Sequence, residues 1–366
     1  MNSKFYSFFV VLVLGLLAYG TYLALSGEDI SAESTVALAK SDSPVALPVD
    51  SSAPFRPGQR VVIDTPDSKV QETQVVTAVP DGTHVTVSKL ENPHNGALDP
   101  VPVVRDIPWW SPAPTEKTML DAQRIFYYHL PAAIAAYTLF FLNFIASLIY
   151  LWKRNEATDG WAVTFAEVGV VFSTVVLITG PIWGRFAWNT WWSWEPRLTT
   201  FLILWLLYVS YLVLRRSSDG ASSSVLAAAF AVFAFLDVPF SYFANRFRGH
   251  HPPPITLAHP AMSFTVTFNI FAFLGFAALI VAFRHKLEQT ERKIAAIHIQ
   301  RASQGVMACV AFPAVAIFLF QVRQNLNPTH FMYAAYLSAW TIYIGYLLLL
   351  VRKVAKLKRE EAELNS

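Results

Sequence analysis

"WAVTFAEVGVVFSTVVLITGPIWGRFAWNTWWSWEPRLTT", residues 161–200, joins two features from which the rest of the chain is read. Its first half contains an apolar run, 162–182, long enough to cross a membrane, because about 20 helical residues span the ~30 Å hydrocarbon core. Its second half packs Trp183, Trp188, Trp191, Trp192 and Trp194 into a dozen positions and then adds Glu195 and Arg197. Tryptophan concentrates at membrane interfaces, so an aromatic belt is one explanation. A belt spreads its rings over several helix ends, whereas these five gather at one place. Each ring buries roughly 150–250 Å², and an exposed patch of that size marks a surface that binds something.

Outward from this stretch the same run length recurs. The 366 residues are 54% hydrophobic and 14% charged, against about a quarter charged in soluble domains. Eight runs qualify as spans: about 5–25, 130–152, 162–182, 198–214, 222–243, 261–283, 305–321 and 331–351. The first exceeds the 7–15 residues of a signal-peptide core and is followed by no small-residue cleavage site, so it reads as an uncleaved anchor. Basic residues near span ends orient the chain. Lys153, Arg154, Arg215, Arg216, Arg284, Lys286, Arg292, Lys293 and the tail from Arg352 to Arg359 all fall on one side of an eight-span path. That side is cytoplasmic, with both termini. The tryptophan stretch, the loop 244–260 and the segment 26–129 fall outside.

The net charge of +3 is too small to point to nucleic acid, and the lone cysteine, Cys309, excludes an intrachain disulfide, a CxxC redox pair and a CxxCH haem attachment. Residues 26–115 are the one sizeable polar piece. Up to about 54 they are rich in Ser, Ala and Pro and read as a linker. "RVVIDT", "TQVVTAV" and "THVTVSKL" then alternate apolar and polar residues around the turn "PDG" at 80–82, which predicts a small β-domain of three to five strands. Trp109 and Trp110 return the chain to the membrane surface. Residues 285–303 read as a charged cytoplasmic extension or interfacial helix.

The external side also collects histidines. His129 stands at the mouth of the second span in "RIFYYHLPAA". His250, His251 and His259 lie in "NRFRGHHPPPITLAHPAM". A single histidine at a helix end is more often a cap or hydrogen-bonding group than a ligand. Imidazole is nevertheless a common metal ligand, and haem iron accepts one on each axial face. Two histidines from different loops beside an aromatic surface would suit a bis-histidine haem, with a zinc or copper site from His250, His251 and His259 as the rival. Arg124, Arg185, Arg197, Arg246 and Arg248 lie outside as well, against the positive-inside trend. A guanidinium matches carboxylates bidentately, so Arg124 or Arg248 suits haem propionates, and Arg197 an ion pair with Glu195. Intramembrane charges are few: Glu167 and Asp237 sit near span ends, and no polar chain crosses the membrane as a transporter or proton pump would need.

"WGRFAWNTWWSWEPRLT" resembles the WWD signature of haem-handling proteins in the form found in the CcmC family of cytochrome c maturation. "RIFYYHLPAA" resembles that family's first external histidine motif, and "RGHHPPPITLAHPAM" its second. The likeness covers about 116–284, with the WWD loop at 183–199. It implies a mainly α-helical polytopic protein of the bacterial inner membrane; the small periplasmic β-rich domain within 26–115, inserted after the anchor at 1–25, departs from the family pattern. The likeness implies haem b, transiently bound between His129 and His251 (His250 the alternative) above Trp183, Trp188, Trp191, Trp192 and Trp194, with Arg124, Arg197, Arg248 and Glu195 as propionate or ion-pair residues. The implied role is delivery rather than catalysis, with a periplasmic haem chaperone, CcmE, the transporter components CcmA and CcmB, and membrane lipids as partners, and no nucleic acid. Glu195 stands where the family usually has Asp, and Pro196 is shared with the related CcsA proteins, which leaves a CcsA-like component as one alternative; a haem-dependent membrane oxidoreductase is the other. Residues 285–329 add a cytoplasmic segment and a helix, and 330–366 resemble CcmD, a one-helix partner of the same system.

Overall fold

The computed structural model describes residues 3–65, 70–95, 100–115, 120–217, 221–244, 259–297 and 328–364. Two compact units divide the chain: Met1–Thr21, Arg124–Thr256 and Val266–Ser366 form a helical unit, and Tyr22–Gln123 with Leu257–Thr265 a β-rich one. Seven helices among the described residues are long and apolar enough to cross a membrane, and the protein is a multi-pass membrane protein. The expected span at 305–321 lies outside the described residues.

Helix α1 (Ser3–Leu25) is followed in chain order by the strands, and then α2 (Phe126–Lys153) and α3 (Glu156–Ala187) form an antiparallel hairpin. The hairpin turns sharply because Arg154 ends α2 in the left-handed region (φ 50°). Asn155 then starts α3, its side chain accepting from the Ala157 N–H at 2.9 Å. Helix α3 is the centre of the unit: 89% of its most apolar window is buried, against 44% or less in the other spans. Side-chain hydrogen bonds fix its neighbours. Asn143 of α2 donates to the Ala162 carbonyl at 2.7 Å. From α4 (Pro196–Ser217), Trp205 donates its indole N–H to Thr174 at 2.8 Å, and Tyr208 stacks on Phe140 with centroids 3.8 Å apart.

The fifth expected span, 222–243, is broken into α5 (Ala221–Phe235) and α6 (Asp237–Phe243). Pro239 explains the break: it lacks an N–H, and its ring would clash with the carbonyl four residues back, which is Phe235. Helix α7 (Pro260–Ile297) runs through the sixth span and on into the charged extension. Helix α8 (Pro328–Leu364) contains the last span and the basic tail as one helix. It packs on α3, with the Tyr336 hydroxyl donating to the Arg124 carbonyl at 2.9 Å. Glu167 of α3, read as a residue near a span end, is buried in an ion pair with Arg284 of α7 at 2.8 Å and accepts from Tyr346 of α8 at 2.9 Å.

The β-rich unit is larger than expected, and part of its sheet comes from the stretch read as linker. β1 (Ser31–Ser34), β2 (Ala37–Leu38) and β3 (Val45–Pro48) lie there. β4 (Arg60–Thr65), β5 (Val70–Asp81), β6 (His84–Val87), β7 (His94–Asn95) and β8 (Val101–Arg105) follow. Six of them form one sheet in the order β1-β8-β4-β5-β6-β3, and β2 pairs with β7. The alternation of β4, β6 and β8 puts Val61, Ile63, Val85, Val87, Val101 and Val103 into one core, where each is fully buried. Glu72 is buried beside His94 at 2.6 Å, and its second carboxylate oxygen accepts from the Glu91 N–H at 2.7 Å. Trp109 meets Trp110 and Phe264 edge to face, and both tryptophans are more than half exposed.

Candidate haem-binding pocket

The antiparallel course of α2 and α3 brings the start of one beside the end of the other. His129, in the first turn of α2, therefore lies next to Trp183, their ring centroids 6.3 Å apart and tilted by 45°. Helix α3 does not stop at Gly180 and Pro181, as a proline signal suggests, but continues to Ala187. Val176, Gly180 and Trp183 consequently share a helix face at three- and four-residue spacing, and all three line a pocket of about 590 Å³ including its open mouth.

After α3 the chain turns back on itself. The Trp188 N–H bonds to the Gly184 carbonyl at 2.8 Å, and Asn189 takes the left-handed conformation (φ 55°), which asparagine tolerates better than most residues. Gly184 permits this close return: a Cβ there would stand 3.3 Å from the Thr190 carbonyl oxygen and from the Trp188 ring. Arg185 donates to the Asn189 side chain across the same turn. The loop ends where Pro196 starts α4, the position at which its fixed φ and missing N–H suit a helix. Glu195 precedes it, only 8% exposed, at the positive end of the helix dipole, and its carbonyl accepts from the Thr199 N–H at 3.0 Å.

These turns divide the five tryptophans. Trp183, Trp188 and Trp192 line the pocket with His129 and Arg197, and Trp183 and Trp188 lie 5.8 Å apart at 50°. Trp191 turns instead to Phe331 of α8, at 6.2 Å. Trp194 stands edge-on to Trp192 and is 77% exposed. The five rings are therefore not one platform: three form a wall, one packs on a neighbouring helix and one faces outward. Arg197 faces the pocket, and none of the described ion pairs joins it to Glu195. Arg124 is tied to α8 through its own carbonyl. Tyr137, on the next turns of α2 below His129, also lines the pocket and bonds to Ser241 of α6 at 2.8 Å. In the sequence nothing marks this residue beyond its place in an apolar run.

His129 also has a hydrogen-bonding partner on α3, a hydroxyl that nothing in the sequence marks. Its Nδ1 lies 2.9 Å from the Thr179 hydroxyl, and a Cβ on Gly180 would come within 3.2 Å of its Cε1. His259 belongs to the β-rich unit and serves α7 as a cap, its Nδ1 accepting from the Ala261 N–H at 3.1 Å. Burial holds the His259 pKa below the usual imidazole value. His250, His251, Arg246 and Arg248 lie outside the described residues, and so do two of the three histidines of the rival zinc or copper site. Among the described residues no group of three His, Cys, Asp or Glu side chains is placed to hold a metal ion.

Residues 102–304 match the family model described as CcmC, Heme exporter protein C. The chain is 31% identical to the Heme exporter protein C of Paracoccus denitrificans over 205 residues, 53% of this chain and 84% of that protein. With the protein of the same name from Rhodobacter capsulatus it shares 37% over 128 residues, 34% of this chain and 53% of the relative. A putative cytochrome c biosynthesis ccmC-like mitochondrial protein of Marchantia polymorpha is 26% identical over 193 residues, 52% of this chain and 82% of the relative. The matched stretch takes in His129, the whole tryptophan stretch and all the residues of the pocket, and it covers more than half of the sequence: the chain belongs to the CcmC, or heme exporter protein C, family.

Proposed function

We propose that this protein binds haem as cargo on the periplasmic side of a bacterial inner membrane and passes it to a periplasmic haem chaperone of the CcmE kind for c-type cytochrome maturation. The observation that carries the reading is one pocket combining His129, three tryptophan rings and Arg197. The residue set fits the cargo. Aromatic walls suit the flat macrocycle, and an imidazole suits its iron. Arg197 suits a propionate. The Trp192 Nε1 is buried without a hydrogen-bond partner among the described residues, and it is a donor that a propionate oxygen would satisfy. His251 serves as the second axial ligand, and Arg124 or Arg248 as further propionate contacts.

The basic residues at the α2–α3 turn, at the end of α4 and along α8 support this sidedness, because such residues favour the cytoplasmic side. The work is holding and handing over, with no covalent step on the protein. Helix α8 stands in for a separate CcmD, and its packing on α3 and against Trp191 supports that role. CcmA and CcmB are the expected membrane partners. Purified protein is expected to carry a Soret band that is lost in the His129→Ala, His251→Ala double variant, and the haem-loaded wild type is expected to capture a small periplasmic haem chaperone. An unchanged spectrum in the double variant overturns the ligand assignment.

A further inference from the structure

We propose that Thr179 is a positioning residue for haem capture: it holds His129 in the Nδ1–H tautomer and so presents Nε2 as the iron-ligating nitrogen. The proposal rests on the reading of His129 as a haem ligand. It follows from counting protons. The Thr179 hydroxyl lies 2.9 Å from two groups, the Val175 carbonyl one turn earlier in α3 and the His129 Nδ1 of α2. A hydroxyl has one proton and two lone pairs. The carbonyl can only accept, so the proton goes to Val175, and the hydroxyl oxygen is left to accept from Nδ1–H. The opposite assignment leaves two oxygens facing each other at 2.9 Å with no proton between them.

Thr179 is 1% exposed, so water does not compete for its hydroxyl. A neutral imidazole protonated at Nδ1 keeps its lone pair at Nε2. Gly180 adds a steric constraint to the electronic one: with no Cβ at this position, the His129 ring edge can sit directly against α3. Two consecutive residues of α3 thus set the tautomer and the placement of a ring carried by α2. Metal-bound histidines are commonly held through their second nitrogen, and loss of such a partner typically costs about 10–100-fold in affinity. A neutral hydroxyl is a weaker partner than a carboxylate, which puts the expected effect near the lower end, about tenfold.

Nitrogen-15 NMR of histidine-labelled, haem-free protein, with the His129 signal assigned by difference against His129→Ala, reads the tautomer without any cargo. Protonation at Nδ1 is expected in the wild type, with loss of that preference in Thr179→Val and its return in Thr179→Ser. On the haem-loaded protein, Thr179→Val is expected to release haem about tenfold faster and to shift the iron–histidine stretching band, with Thr179→Ser close to wild type. A wild-type His129 protonated at Nε2 overturns the proposal outright, and this measurement needs only the His129→Ala assignment variant to fold, not Thr179→Val. An unchanged release rate and stretching band in Thr179→Val, where His129→Ala strips the haem, overturns it too. Haem retained with an unaltered spectrum in His129→Ala refutes the ligand reading instead, while the haem-free tautomer still judges Thr179.

Discussion

Replacing Glu167 by glutamine removes one charge from a buried polar cluster of the helical unit while keeping the side chain's size. Arg284, 4% exposed, donates to Glu167 Oε2 through Nε at 3.0 Å and through Nη2 at 2.8 Å, and to Glu288 through Nη1 at 2.9 Å. Tyr346 of α8 donates to Glu167 Oε1 at 2.9 Å. Every polar neighbour of Glu167 is therefore a donor, and the glutamine NH₂ must face one of them. Removing one partner of a buried ion pair costs about 3–5 kcal/mol, because the other charge stays buried. Glu288 still opposes Arg284, so the lower figure applies, about 3 kcal/mol. Tyr346→Phe loses one neutral donor to a charged acceptor, and about 1.5 kcal/mol is expected. Unfolding in mixed micelles of increasing SDS content measures all of these. A cycle of Glu167→Met, Arg284→Met and the double variant isolates the pair, and the double variant should recover much of the loss. Unfolding of Glu167→Gln together with the wild type, or a coupling in the cycle below about 0.5 kcal/mol, would refute a structural role for the ion pair.

Two further predictions concern the site's loop and the β-rich unit. Gly184→Ala gains helix propensity, about 0.5–1 kcal/mol in a helix interior, but sets a Cβ against the Thr190 carbonyl and the Trp188 ring. Stability in SDS titration should change little while haem affinity, read by Soret titration, falls several-fold; unaltered affinity would show that the Trp188 wall is not held by this approach. In the β5–β6 turn the Asp81 carboxyl is lowered from 3.8 to about 2, chiefly by the Thr83 N–H and then by His84. A depressed folded-state pKa stabilises above the unfolded value and loses that contribution as pH falls through the folded one. Protection of the Thr83 amide, corrected for intrinsic exchange, should therefore decline between pH 3.8 and about 2 and show no such step in Asp81→Asn. A flat profile in the wild type would rule the turn's carboxylate out.

The spans were legible because an apolar run of more than 17 residues has few other uses, and the strands β4 to β6 because strict alternation has few either. What the sequence hid was phase. Whether Trp183 and Trp191 face the same side depends on whether α3 survives Pro181. Proline costs a helix the hydrogen bond to the carbonyl four residues back, here that of Leu177, yet in membrane helices such breaks are tolerated where neighbouring protein covers the freed group. Leu177 and Pro181 both line the pocket. With the helix intact, Trp183 belongs to it and Trp191 to the loop, and the two diverge. The edge strands β1 and β3 were hidden for a different reason: at four residues each, they are too short for alternation to rise above a Ser- and Pro-rich background. Thr179 left a weaker trace, a hydroxyl within an apolar run and four residues before Trp183 on the same helix face.

A protein that binds cargo in order to give it away needs a fixed grip on one side and a yielding one on the other, and the pocket is built from elements of both kinds. The His129 side rests on the α2–α3 hairpin, where Thr179, Gly180 and Trp183 are all helical and α3 is the most buried helix of the unit. Trp192 and Trp194 belong to a loop whose backbone runs from a left-handed Asn189 to Pro196, with Trp194 turned outward. Elements with few buried contacts open at lower free energy than packed helices. On the proposed reading, capture is governed by the helical wall and release by the loop. Substitutions at Thr179 should then act on how the iron is held, and substitutions at Trp194 on transfer to the chaperone, with little effect of the second on the Soret spectrum of the loaded protein.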